Sequence, residues 1–78
     1  MISIVQEIFR DVFDNEELII TKETKSAELK DWDSVAHIDI LIALENEFSL
    51  KFSIEEAYNI KSVKDILDLL EKKKLNKL

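Results

Sequence analysis

Neither glycine nor proline occurs anywhere in the 78 residues. The two residues that usually punctuate a chain are missing, so element ends must be marked by side-chain caps and by the period of apolar residues. The same absence excludes the glycine loops that cradle phosphates in nucleotide-binding proteins. Cysteine is absent as well, which excludes disulfides, thiolate metal sites and thiol catalysis. The remainder is apolar enough to fold, with 46% hydrophobic residues beside 36% charged ones. Residues 1–78 are expected to form one small domain. A domain of this size buries only about 60% of the surface its unfolded chain exposes, so its core is small.

Caps and period together delimit helices. Ser3 followed by Gln6 has the form of a capping box. Behind it Ile4, Val5, Ile8, Phe9, Val12 and Phe13 make one helical stripe, which predicts a first helix ending near Asp14. From Asn15 to Asp33 no period holds. Leu18, Ile19, Ile20, Ala27, Leu29 and Trp32 stand scattered among charges, as in a long connection pinned to a bundle. A second helix is predicted from about Ser34 to Phe48. The capping box at Ser53 and Glu56 opens a short helix through about Ile60. Ser62, with Asp65 in the answering position, caps a last helix whose buried stripe is Val63, Ile66, Leu67 and Leu70. The best strand candidate, Leu18–Thr21, is weak. The expectation is an all-α four-helix bundle, three longer helices and one short, with a long loop between the first two.

Charge narrows the partners. Four of the eleven basic residues (Lys72, Lys73, Lys74 and Lys77) lie in the last seven positions. Residues 1–71 therefore hold seven basic and seventeen acidic residues, a net of −10. Such a surface repels nucleic-acid backbones and steers toward basic protein patches. The lysine-rich end, about 72–78, reads as a helix C-terminus favoured by the helix dipole and then a fraying end. No apolar run approaches the roughly 18 residues of a membrane span, and no basic secretory start precedes the first helix. A cytoplasmic chain is expected.

The second helix holds the informative pattern. At about 100° per residue, Ile40, Leu44, His37, Phe48 and Leu41 gather on one arc, wide and apolar enough to face the core. Val35, Ile38 and Ile42 fall on another arc, shared with Ser34, Asp39, Glu45 and Asn46. Either the loop or the short helix covers those three aliphatics, or they form a docking patch with an acidic rim. Periodicity leaves both open. Asp33 and Ser34 open this helix. Both are common caps, yet a hydroxyl beside unpaired backbone N–H groups is also a good place to carry a phosphodiester. Spacing does not choose between cap and attachment point.

The run Asp33-Ser34-Val35, heading a helix that reads Ala36-His37-Ile38-Asp39-Ile40-Leu41-Ile42-Ala43-Leu44-Glu45-Asn46-Glu47-Phe48, resembles the acyl carrier protein family. The family pattern is Asp-Ser-Leu at the head of the second helix, closing in a Leu-Glu-x-x-Phe type run. Phe52-Ser53-Ile54-Glu55-Glu56 and Ser62-Val63-Lys64-Asp65 also fall where such proteins carry them, so the likeness spans nearly the whole chain. It implies that Ser34 is esterified by 4′-phosphopantetheine, delivered from coenzyme A by a magnesium-dependent phosphopantetheinyl transferase, with Asp33 as its motif neighbour. It implies that the arm's thiol holds an acyl or aminoacyl group as a thioester, in fatty-acid or polyketide-type synthesis or a specialised pathway. Partners would be an acyl- or aminoacyl-loading ligase and downstream transferases or synthases, docking on Val35, Ile38, Asp39, Ile42 and Glu45. The protein would be a monomeric handle and not an enzyme. Three departures stand out. Val35 replaces the usual Leu, Asn46 sits where fatty-acid carriers often have an acid, and glycines common around the motif are replaced by other residues. The Trp-Asp-Ser-x-Ala-His-Ile stretch is more similar to stand-alone carriers of specialised pathways.

Two single residues complete the reading. His37, the one histidine, is expected to be structural and hydrogen-bonded to the loop, because a general base needs a partner and a cleft. Trp32 is expected to pack over the bundle and fix the loop beside Ser34. No residue is assigned to catalysis or to a metal. Asp31 and Asp33 suggest the start of a calcium loop, but Ala36 and Ile42 stand where that loop requires Gly and Glu. The remaining alternative is an unmodified helical interaction module using the same apolar-acidic face.

Overall fold

The computed structural model describes residues 2–75, with the side chains of residues 74 and 75 excepted. Four helices follow in order: α1 (Ile2–Phe13), α2 (Ser34–Phe48), α3 (Ile54–Asn59) and α4 (Val63–Leu75), with a single 3-10 turn at Ser26–Glu28 between α1 and α2. The all-α bundle with its long first loop forms as expected. No strand occurs among the described residues, Leu18–Thr21 included; one isolated antiparallel bridge joins Lys25 to Ser62. At the lysine-rich end Lys72 and Lys73 belong to α4, whereas Lys77 lies outside the described residues.

Each helix but α3 presents one apolar stripe to a common core. Val5, Ile8 and Phe9 come from α1, Ala36, Ile40 and Leu44 from α2, and Val63, Ile66 and Leu70 from α4. Ile20, Trp32 and Ile60 enter from the connections. Ile4, expected on the α1 stripe, lies exposed at its edge. The Ser3 capping box is also not used: α1 already begins at Ile2, which puts Ser3 inside the helix. Gln6 turns outward instead, and its Oε1 accepts the backbone N–H of Ile20 at 3.0 Å.

Without glycine, helices must stop on other residues. Asp14 and Ser49 take the left-handed conformation, at φ 51° and 53°, just past α1 and α2. The chain then closes with Asn15 N–H donating to the Arg10 carbonyl and Leu50 N–H to that of Glu45. Glycine is the residue that favours this position, and an L-residue with a Cβ pays roughly 1 kcal/mol there. Ser49→Gly is accordingly expected to stabilise the protein by about 1 kcal/mol, measured by urea unfolding; a loss of stability would show that the serine side chain outweighs the backbone strain.

The long loop is a built layer. Arg10 Nε donates to the Leu18 carbonyl at 2.7 Å, and Ser26 N–H donates to the Lys61 carbonyl at 2.9 Å. Val63 N–H donates to Thr24 and Lys64 N–H to Lys22, so the loop is stitched to the start of α4. Trp32 anchors its end, buried edge-on against Phe9 with ring centroids 5.1 Å apart. It stands one residue before Asp33, the N-cap of α2.

Candidate functional site

The start of α2 separates two roles that the sequence left joined. Asp33 is the N-cap: its backbone is extended, and its Oδ1 accepts the N–H of Ala36 at 2.9 Å. Its carbonyl accepts from His37 N–H, which begins the helix ladder. Ser34 is therefore the first helical residue, exposed, with the cap supplied by its neighbour. The N–H groups of Ser34 and Val35 have no intrahelical acceptor, as at any helix start, and the dipole's positive end lies there. An exposed hydroxyl in that setting suits an anionic ester.

From Ser34 an open groove of about 500 Å³ runs between α2 and α3. Ile38 and Leu41 line it from α2, and Ile54, Ala57 and Tyr58 from α3. Ile54 and Tyr58 are 91% and 78% exposed, so α3 shows its apolar residues to solvent rather than to the core. Their i, i+4 spacing is visible in the sequence and marks a common face. Spacing does not say which way a face points, so the sequence alone does not place these two at the site.

The second apolar arc of α2 is uncovered. Val35, Ile38 and Ile42 are 69%, 56% and 51% exposed, which removes the explanation that the loop or α3 hides them. Asp39 is exposed beside them. Glu45 differs from the expectation of a free rim charge: it is half-buried, and its Oε2 accepts the Phe52 N–H at 2.8 Å, tying α2 to the segment before α3.

His37 does not prime Ser34. Its Nδ1 receives the indole N–H of Trp32 at 2.9 Å, and its Nε2 lies 2.9 Å from the Ala57 carbonyl. An indole only donates, so Nδ1 must accept and the neutral ring carries its proton on Nε2. Both nitrogens are thereby occupied in structure. The expected bond to the loop is present; the bond to α3, 20 residues away, has no local sequence signal. Among the described residues no cluster of three or more His, Asp or Glu could hold a metal ion. No described helix is long and apolar enough to cross a membrane.

No family model matches the chain. Individual relatives do. An acyl carrier protein of Coprothermobacter proteolyticus is 33% identical over 67 residues, covering 86% of this chain and 82% of that protein. One of Thermosynechococcus vestitus is 35% identical over 54 residues, 69% of this chain and 67% of that protein. Among solved structures, the holo acyl carrier protein from Geobacter metallireducens, determined by solution NMR, superposes with a TM-score of 0.86 at 35% identity, over 96% of this chain and 86% of that one.

Proposed function

The chain belongs to the acyl carrier protein family, and we propose that it carries an acyl or aminoacyl group on a 4′-phosphopantetheine arm esterified to Ser34. Proteins of this family hold cargo for other enzymes and do not perform the chemistry themselves. The observation that carries the assignment to Ser34 is the division of labour at the start of α2: Asp33 caps, and Ser34 presents an exposed hydroxyl at the helix's positive end. A phosphodiester there meets the unpaired N–H groups of the first turn, an interaction worth about 0.3–1 kcal/mol at an exposed site. When bound, the arm supplies a terminal thiol that holds the cargo as a thioester.

The uncovered face of α2 is the surface for partners. Val35, Ile38 and Ile42 supply apolar contact and Asp39 a charge at its edge. These suit enzymes with basic, partly apolar patches: a phosphopantetheinyl transferase, a loading ligase and downstream transferases or synthases. The net charge of −6 speeds encounter while a small patch keeps affinity low, which fits a carrier that must leave each partner. Glu45, already engaged by Phe52, has a mainly architectural share in this face.

Intact-mass measurement tests the proposal. Incubation with coenzyme A, magnesium and a broad-specificity phosphopantetheinyl transferase is expected to add the mass of one arm. Asp39→Lys is expected to slow that addition, and more so at low salt than high, because screening removes the charge effect. A chain that never gains mass would be an interaction module without an arm. Equal rates in both proteins at every salt concentration would remove Asp39 from the docking surface.

A further inference from the structure

α3 is six residues long and buries none of them. A helix far shorter than about 12 residues does not hold itself together. The apolar residues that flank it, Phe52 before and Ile60 after, anchor its ends to the core, and polar ties at the two ends add to that seat. At the N-terminal end Ser53 and Glu56 form a reciprocal capping box, and Glu56 pairs with Lys73 of α4 at 2.8 Å. The Lys73 ammonium, helped by the Ser53 N–H, holds the Glu56 carboxyl below its ordinary range. At the C-terminal end the Ala57 carbonyl belongs to the last turn, where helix carbonyls lose their usual donors. Only a long 3.4 Å contact from Ile60 N–H reaches it from its own segment. The strong partner is His37 Nε2 of α2, at 2.9 Å.

His37 is held in turn. Its ring lies nearly parallel to that of Trp32, centroids 6.0 Å apart and planes at 25°, while Trp32 stands edge-on to Phe9 of α1. Trp32, His37 and Ala57 thus form one line of contact from the core to α3, and it works in a single protonation state. A second proton on the ring would set an N–H at Nδ1 against the indole N–H. Three other titratable groups line the groove: Asp33, which caps Ala36, and Lys61 and Tyr58, the Lys61 ammonium sitting 5.3 Å over the Tyr58 ring.

We propose that His37 is the positioning residue that seats α3 against α2, and so sets the opening of the groove beside Ser34. That cargo meets this groove first rests on the carrier assignment; the seating of α3 does not. Ile54 and Tyr58 form the α3 wall of the groove, on the same short helix as the Ala57 tie.

The test uses the unloaded protein, so failure of arm attachment and failure of this proposal are separate results. Long-range nitrogen-15 spectra of the His37 ring are expected to show the Nε2-protonated tautomer. Two variants divide the ring's bonds, because a Gln amide reaches the Nε2 position and an Asn amide the Nδ1 position. His37→Asn is expected to raise amide exchange in α3 about tenfold, the usual worth of one such hydrogen bond, and His37→Gln to restore most of the protection. A ring protonated on Nδ1, or equal α3 exchange in the wild type and both variants, would overturn the proposal. If both variants unfold, the wild-type spectra decide alone: a ring protonated on Nδ1 rejects it.

Discussion

Phe9→Ala is expected to remove about 3–5 kcal/mol of stability, the usual cost of deleting a fully buried aromatic ring. A chain of 78 residues has in total about 4–12 kcal/mol, so this one substitution takes a quarter or more of it. The site explains the size of the effect. Phe9 is fully buried and stands edge-on to two other rings, Phe13 at 5.7 Å and Trp32 at 5.1 Å. Its loss leaves a cavity at the centre of α1 and removes the surface against which Trp32 is seated. Urea unfolding measures the loss, and Trp32 fluorescence should report a loosened indole even where the variant remains folded. Phe13→Ala, at a half-buried ring, is expected to cost less. A loss below about 1 kcal/mol for Phe9→Ala would mean that the neighbouring side chains refill the space, contrary to the usual stiffness of a packed core.

What was legible in the sequence divides along the range of the interactions involved. The bounds of α2, Ser34–Phe48, were readable because cap and period are both local, Asp33 at one end and the apolar stripe along the length. The start of α1 was not, although Ser3 and Gln6 show the same kind of pattern. A glutamine that completes a capping box also reaches a backbone N–H from elsewhere, and here Ile20 takes it. Glu45 is the parallel case on α2: its charge marked it as rim, and the N–H of Phe52 drew it inward. For Val35, Ile38 and Ile42 the wheel located the arc but not its cover, since that depends on the path of the loop and the seat of α3. His37 shows the same boundary within one side chain. Its bond to Trp32, five residues away, belongs to the local reading, and its bond to Ala57 is a product of the tertiary fold.

Ser34→Ala and Asp33→Ala are expected to divide stability from function in opposite ways, which decides whether the hydroxyl at the head of α2 is a cap or a tether. The Asp33 carboxylate makes the capping bond to Ala36 N–H, so Asp33→Ala should cost about 1 kcal/mol, seen as a melting temperature lower by about 4–8 °C in a domain of this size. Ser34 remains in place in that variant and should still accept one arm, as judged by intact mass. Ser34→Ala reverses the outcome. Alanine is at least as good a helix former as serine at the first helical position, so stability should stay within about 0.5 kcal/mol of the wild type, while attachment falls to zero because none of the neighbouring residues Asp33, Val35, Ala36 and His37 carries a hydroxyl. If Ser34→Ala melts early and Asp33→Ala does not, the serine is the cap. If Ser34→Ala still gains the mass of an arm, the attachment site lies at another residue, and the groove between α2 and α3 loses its reason to matter for the cargo.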